Sequence, residues 1–87
     1  MNRSFSKHDT LIAEIDGKIV GFADMDNTGY LDRLYVHRNF QGLGIASSLV
    51  CELEQHAEDI GVTKFETYAS ITAMPFFMKR GYKVEEE

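Results

Sequence analysis

Residues 34–46 read Leu34-Tyr35-Val36-His37-Arg38-Asn39-Phe40-Gln41-Gly42-Leu43-Gly44-Ile45-Ala46. They pass from an apolar strand, through a turn with two glycines, into an amphipathic helix. The first amide groups of a helix lack partners within it and carry partial positive charge. Glycines at 42 and 44 leave the main chain open to an anion, and the small Ala46 keeps the helix entrance clear. The spacing Gln-x-x-Gly-x-Ala therefore predicts a cradle for a diphosphate.

Two common phosphate-binding loops do not fit these letters. A Walker A loop ends in Gly-Lys-Ser/Thr, whereas Gly44 is followed by Ile45 and Ala46. A dinucleotide fingerprint needs a third glycine where this chain has Ser47, and no acidic residue ends a second parallel strand at the required distance. Two glycines before a helix also occur in a plain tight turn that packs a helix on a sheet. From these letters alone, both interpretations stay open.

The composition describes one small domain over residues 1–87, with 44% hydrophobic residues. The single Cys51 forms no internal disulfide, and no Cys/His cluster has the spacing of a metal site. The opening residues 1–6 lack the apolar core of a signal peptide, and no apolar run approaches the roughly 20 residues of a membrane span. We therefore expect a cytoplasmic protein without a metal.

The charge of the chain bears on its partners. The formal net charge is -5, and the sequence ends in three glutamates. This charge opposes nucleic-acid phosphates and acidic membranes, so we expect neither nucleic acid nor a membrane as a partner. It would suit a cationic substrate such as an amine, although a charge of this size also serves solubility alone.

Hydrophobic periodicity predicts an α/β fold with the element order β-β-β-α-β-α-β. The turn Asp16-Gly17 joins two strands, because both positions of a type I′ turn need positive φ. A third strand precedes the glycine turn, a helix follows it, and Pro75 suits the first turn of a second, short helix. The helix crossovers make the later strands parallel, so the sheet is mixed but mostly antiparallel, with the helices packed on it. The predicted strands span residues 10–15, 18–24, 30–36, 62–69 and 82–84, and the long helix spans residues 44–60.

Two motifs in this chain resemble the acyl-CoA-dependent N-acetyltransferase superfamily known as GNAT. The diphosphate loop of that family reads Gln/Arg-x-x-Gly-x-Gly/Ala, which Gln41, Gly44 and Ala46 match. Residues 69–82 are similar to the family's helix that ends in Gly-aromatic, here Gly81-Tyr82. The resemblance extends over residues 11–84 and implies a partial GNAT fold.

The resemblance implies acetyl-CoA as a co-substrate and assigns its binding residues. The main chain of Leu34, Tyr35 and Val36 would pair with the pantetheine arm as an added strand would. The diphosphate would be held by the amides of residues 41–46 and by the Ser47 hydroxyl. Ser70 would lie where two parallel strands part, and Phe77, also assigned to the coenzyme, would line a groove or fill the core. The residues whose amides would bind the diphosphate are Gln41, Gly42, Leu43, Gly44, Ile45 and Ala46.

The reaction implied by the resemblance is direct attack of an unidentified primary amine on the thioester in a ternary complex. The Val36 amide would hold the oxyanion, and Asp32 is the candidate base, with a plain exposed strand carboxylate as the alternative. Many family members have a tyrosine where this chain has Phe77, which has no proton to give to the leaving thiolate. The thiolate then leaves unaided, takes a proton from Tyr82, Tyr68 or water, or catalysis is lost.

The length of the chain is a second departure from the family. Members usually carry a first strand and two helices before the hairpin, and only a short segment precedes Thr10 here. We expect open sheet edges that invite a homodimer or a completing partner chain. A non-catalytic CoA-binding or interaction module, and a shortened product that binds nothing, are the alternatives to an enzyme.

Overall fold

A computed structural model of the chain describes residues 2–5, 10–69 and 73–86. The element order confirms the predicted α/β class, with one additional strand at the start. A single turn of 3₁₀ helix at Arg38–Phe40 separates the fourth strand from the long helix. The elements are β1 (Asn2–Phe5), β2 (Thr10–Ile15), β3 (Lys18–Met25), β4 (Tyr30–Val36), α1 (Ile45–Asp59), β5 (Glu66–Ala69), α2 (Met74–Lys79) and β6 (Lys83–Glu86).

The six strands form one mixed sheet in the order in which they occur in the sequence. Strands β1 to β4 are antiparallel to their neighbours, whereas β5 pairs parallel to β4 and β6 pairs parallel to β5. The hairpin between β2 and β3 turns at Asp16 and Gly17, whose φ angles of 52° and 78° are those that a type I′ turn requires. The mixed, mostly antiparallel sheet is therefore as predicted.

Strand β1 is the part of the sheet that the sequence did not reveal. The sequence predicts three strands before the glycine turn, but the structure has four, because Asn2–Phe5 pairs with β2. The Arg3 side chain also reaches α1, where it forms an ion pair with Glu52 and donates a hydrogen bond to Ser48. Three of the four residues of β1 are polar, so no alternation of apolar residues marks a strand, and the pairing with β2 and the contacts of Arg3 account for it. The prediction of three strands before the glycine turn is therefore one strand short.

The core lies between the sheet and α1. The buried residues of α1 repeat at helical spacing and are Ile45, Leu49, Val50, Leu53 and Ala57. Right-handed crossovers put both helices on one face of the sheet, and Arg80 at the end of α2 forms an ion pair with Glu54 of α1 at 3.2 Å. Within the described ranges no helix covers the opposite face, which we call the open face.

Strands β4 and β5 separate partway along their length. They pair only at Tyr30↔Glu66 and Leu31↔Thr67. Beyond this point, β4 continues beside β3 and β5 continues beside β6. Asp32 is the extra residue of a bulge, since its neighbours Leu31 and Arg33 pair with successive residues of β3. The bulge turns β4 at the place where the opening begins.

Candidate functional site

The glycine turn forms an open entrance to α1. Gly42 and Gly44 have φ angles of 82° and 80°, which other residues rarely adopt, and Gly44 is the residue that caps the helix. No side chain caps this end of the helix, and its first backbone hydrogen bond runs from the Ser48 amide to the Gly44 carbonyl at 3.0 Å. Among the described residues, no atom other than those of the glycines and their chain neighbours lies within 4 Å of where a Cβ would stand on Gly42 or Gly44. The space beside the main chain of this turn is therefore open.

A cavity of about 460 Å³ extends from this turn along the end of β4, and we call it the cradle cleft. It brings together eight of the residues assigned to the coenzyme from the sequence. Tyr35 and Leu43 belong to the same predicted set but do not line it. The lining residues are Leu34, Val36, Phe40, Gln41, Gly42, Gly44, Ile45, Ala46, Ser47 and Phe76.

Hydrogen bonds hold the turn between β4 and the glycines in shape. The Gln41 side-chain amide donates to the Val36 carbonyl at 3.3 Å, which ties the first motif residue to the strand. His37 accepts the Asn39 amide on Nδ1 at 3.1 Å, so its ring caps the 3₁₀ turn. The His37 ring also contacts Phe40 edge to face. His37 thus has a local structural role beside the cleft.

A second cavity, of about 480 Å³, occupies the opening between β4 and β5, and we call it the strand cleft. Leu34 lines both clefts and therefore lies between them. Neighbouring residues of α2 divide between them, with Phe76 in the cradle cleft and Phe77 in the strand cleft. The strand cleft is lined by Phe22, Leu31, Asp32, Arg33, Leu34, Tyr35, Thr67, Tyr68, Ala69, Ala73 and Phe77.

The wall of the strand cleft on the open face of the sheet is aromatic. Of the charged residues in this wall, Arg33 forms an ion pair and Asp32 forms none with any described residue. Phe22 and Tyr35 stack with their centroids 5.5 Å apart, and Arg33 lies over the Phe22 ring at 5.2 Å. Arg33 also forms an ion pair with Asp24, which neutralises the charge of the guanidinium. The side chain of Asp32 is exposed at the bulge, and no ion pair involves it within the described residues. A carboxylate therefore faces solvent at the mouth of this cleft.

The two tyrosines that could replace a missing acid lie in different places. Tyr68 lines the strand cleft, and its hydrogen bond to Glu85, together with the charge of that carboxylate, raises the pKa of the Tyr68 hydroxyl. Tyr82 lines neither cleft; its hydroxyl is buried and makes no hydrogen bond of normal geometry within the described residues. Burial and the nearby charge of Glu54 raise the pKa of Tyr82. Of these two tyrosines, only Tyr68 lines one of the two clefts.

Sequence reasoning missed several residues that line the two clefts. Ser70 lies outside the described residues. Phe40 and Phe76 were not assigned to the site, although each is an aromatic residue next to an assigned one. Thr67 carried no signal, because its contact with β4 depends on the pairing of distant strands. A contact of this kind is visible only once the strands are aligned.

Two further observations on the described residues concern metal binding and membrane-spanning helices. They contain no group of three or more His, Cys, Asp or Glu side chains arranged to hold a metal ion. None of their helices is long and apolar enough to cross a membrane.

Comparison with known proteins places the two clefts in context. The chain matches the family described as the acetyltransferase (GNAT) domain over residues 1–87. It is 34% identical, over 62 residues, to the uncharacterized N-acetyltransferase YjcF of Bacillus subtilis strain 168. That match covers 71% of this chain and 44% of the relative, so the chain spans less than half the length of that protein.

Solved structures of N-acetyltransferases are also similar to this chain. A GCN5-related N-acetyltransferase from Rhodopseudomonas palustris superposes with a TM-score of 0.76 and 38% identity, over 82% of this chain and 44% of that one. The PaiA N-acetyltransferase from Thermoplasma acidophilum, in complex with coenzyme A, superposes with a TM-score of 0.74 and 27% identity. This second match covers 87% of this chain and 52% of the other.

Proposed function

Because this chain belongs to the acetyltransferase (GNAT) family, we propose that it binds acetyl-CoA and transfers the acetyl group to a primary amine. The observation that carries the proposal is that Leu34 lines two cavities, one of which is also lined by the glycine turn at the start of α1 and the other by the exposed carboxylate of Asp32. Donor and acceptor can thus approach one point from different sides. The coenzyme A in the Thermoplasma relative supports the choice of donor.

The cradle cleft suits the donor. The amides of residues 42–46 and the Ser47 hydroxyl would bind the diphosphate, since they lie at the positive, uncapped end of α1, whereas the Gln41 amide already donates to the Arg38 carbonyl. The pantetheine arm would follow β4, where the His37 amide donates to the Val20 carbonyl. Successive amides of a strand point to opposite sides, so the Val36 amide points away from β3. Phe40 and Phe76 supply the apolar walls for the arm.

The strand cleft suits the acceptor. The amine nitrogen would attack the thioester carbon, and Asp32 would take its proton, directly or through water. The Val36 amide would stabilise the oxyanion, and the C–S bond would break as the C–N bond becomes an amide. The hydroxyl of Tyr68 is engaged with Glu85, so the thiolate would take its proton from water. A free thiol pKa of about 8.5 makes a thiolate leaving group tolerable.

The second candidate is a CoA-binding or interaction module without catalysis. It is favoured by the open face of the sheet, which no helix of the described residues covers. Strands β1 and β6 also end the sheet, and within the described residues the outer edge of each is unpaired. Under this alternative a homodimer or a partner chain would complete the acceptor site.

The lone exposed Cys51 fits a reducing, cytoplasmic setting.

Calorimetric titration of acetyl-CoA into the purified chain tests the proposal, with Gly44→Trp as the blocked variant. Gly61→Trp is the matched control. Gly61 also has a positive φ, of 96°, and no atom of the described residues beyond its chain neighbours lies within 4 Å of where its Cβ would stand, but it lies at the far end of α1. We expect saturable binding that Gly44→Trp abolishes and Gly61→Trp retains. No binding by the folded chain would refute the proposal.

Thiol release across a panel of primary amines then separates the two candidates. Release that depends on the amine and disappears in Gly44→Trp supports the enzyme. Binding without release from any amine supports the module, and sedimentation of the same sample gives its oligomeric state.

A further inference from the structure

Thr67 is a buried polar residue at the point where β4 and β5 separate. Its relative exposure is 3%, and it forms the last pair between the two strands, with Leu31. The next residues of β5, Tyr68 and Ala69, pair only with β6. A polar side chain in a small core needs a hydrogen bond, and the partner of Thr67 identifies its role.

The Thr67 hydroxyl bonds to the backbone of the opposite strand. Oγ1 donates to the Leu31 carbonyl at 2.9 Å, and the carbonyl of Tyr68 in its own strand lies 3.2 Å away. A carbonyl oxygen can accept two hydrogen bonds, so Leu31 can hold this hydroxyl in addition to a ladder amide. The bond joins β5 to β4 immediately before Asp32, where the bulge begins.

We propose that Thr67 is a positioning residue, whose hydroxyl fixes the point at which β4 and β5 part and thereby the width of the strand cleft. Up to the pair between Leu31 and Thr67, β4 and β5 are paired. Beyond that pair, the bulge at Asp32 directs β4 away from β5. Without the hydroxyl, Leu31 has one fewer bond to β5, and the separation point can move along the strands. This inference rests on the proposed function, because the acetyl end of acetyl-CoA would reach from the cradle cleft past Leu34 into the strand cleft and meet the amine there.

Two substitutions separate this role from simple core packing. Thr67→Val keeps the size and the branched Cβ but removes the hydroxyl, whereas Thr67→Ser keeps the hydroxyl and removes a methyl group. If Thr67 only fills the core, serine is the more harmful change. If its hydroxyl positions the strands, valine is the more harmful change for acetyl-CoA binding. Thr63→Val, at an exposed threonine outside the strands, is the matched control.

Calorimetric titration of acetyl-CoA and thermal unfolding of the three variants test the proposal. We expect Thr67→Val to weaken acetyl-CoA binding about tenfold, equivalent to about 1.4 kcal/mol, with little change in Tm. Thr67→Ser should lower Tm and keep the affinity, and Thr63→Val should change neither. Wild-type affinity in Thr67→Val, or an equal loss of affinity in Thr67→Ser, would overturn the assignment.

Amide hydrogen exchange without ligand keeps this test apart from the proposed function. We expect the amides of residues 32–34 and 68–69 to change their exchange rates in Thr67→Val and to keep them in Thr67→Ser. Unchanged exchange in Thr67→Val contradicts the inference whether or not acetyl-CoA binds. If the wild-type chain fails to bind acetyl-CoA while exchange changes as expected, the proposed function fails and the role of Thr67 in strand separation stands.

Discussion

Replacing Gly21 by alanine would disturb the contact that seats α1 on the sheet. Gly21 lies in β3 opposite Val36, under the first turns of α1. A Cβ at this position would lie 2.8 Å from the Tyr35 carbonyl oxygen, 3.3 Å from Leu49 Cδ1 and 3.4 Å from Ile45 Cγ2. Since no real Cβ approaches a backbone oxygen this closely, either β4 or α1 must move.

The structure sets the size of the effect. Overpacking of a tight core contact costs about 1–3 kcal/mol, which in a domain of this size lowers Tm by about 4–24 °C. The displaced carbonyl belongs to the strand along which we propose that acetyl-CoA binds. We therefore expect affinity for acetyl-CoA to fall by at least about tenfold, or about 1.4 kcal/mol.

Thermal unfolding and acetyl-CoA titration of the same samples measure both effects. Gly61→Ala is the matched control, because its φ of 96° imposes a cost of about 1–2 kcal/mol on alanine while no atom lies within 4 Å of the new Cβ. This variant should lose stability but keep its affinity. The reasoning fails if Gly21→Ala keeps full stability, or if both variants lose affinity by the same factor.

Three further predictions follow from single side chains. Asp32→Asn should lower kcat/KM about 10²- to 10⁴-fold in a thiol-release assay while acetyl-CoA binding stays unchanged; equal rates would remove Asp32 as the base. Burial alone would raise the pKa of Asp26, but hydrogen bonds from Thr28 and Tyr30 lower it overall, so its contribution to stability is present above its usual pKa and lost as pH falls through the lowered one. Thermal unfolding of Asp26→Asn should thus depend less on pH than that of the wild type below pH about 4, and identical curves would contradict this. The Tyr82 hydroxyl is buried beside the Glu54 carboxylate without a hydrogen bond of normal geometry within the described residues, so Tyr82→Phe should leave Tm unchanged or raise stability by up to about 1 kcal/mol; a clear loss of stability would show that the contact with Glu54 is a stabilising hydrogen bond.

The sequence was informative wherever a short stretch determines its own geometry. Gly42 and Gly44 have the positive φ that the turn requires, and Asp16-Gly17 forms the hairpin turn. These positions obey local steric rules, so their letters are enough to predict them. The stripe of α1 that faces the sheet was equally predictable, because its period is built into the chain.

Features that depend on distant partners could not be predicted in the same way. The last pair between β4 and β5 joins Leu31 to Thr67, and no pattern near either residue marks it. Strand β5 begins at Glu66 rather than at Val62, because only the last part of the predicted run pairs with a neighbour. Phe76 and Phe77 are adjacent in α2 but line different clefts, a distinction that follows from the orientation of the short helix.

The junction between the antiparallel and parallel parts of the sheet has a kinetic consequence. Strands β2 to β4 meet through short turns, whereas Leu31 and Thr67 are 36 residues apart and meet only after α1 has crossed over the sheet. Contacts of such long range are entropically costly to close and tend to form late in folding. A ligand whose acetyl end reaches the strand cleft stabilises late-forming contacts, so it slows unfolding more than it speeds folding. Acetyl-CoA is therefore expected to slow unfolding and lengthen the lifetime of the native state without accelerating its formation.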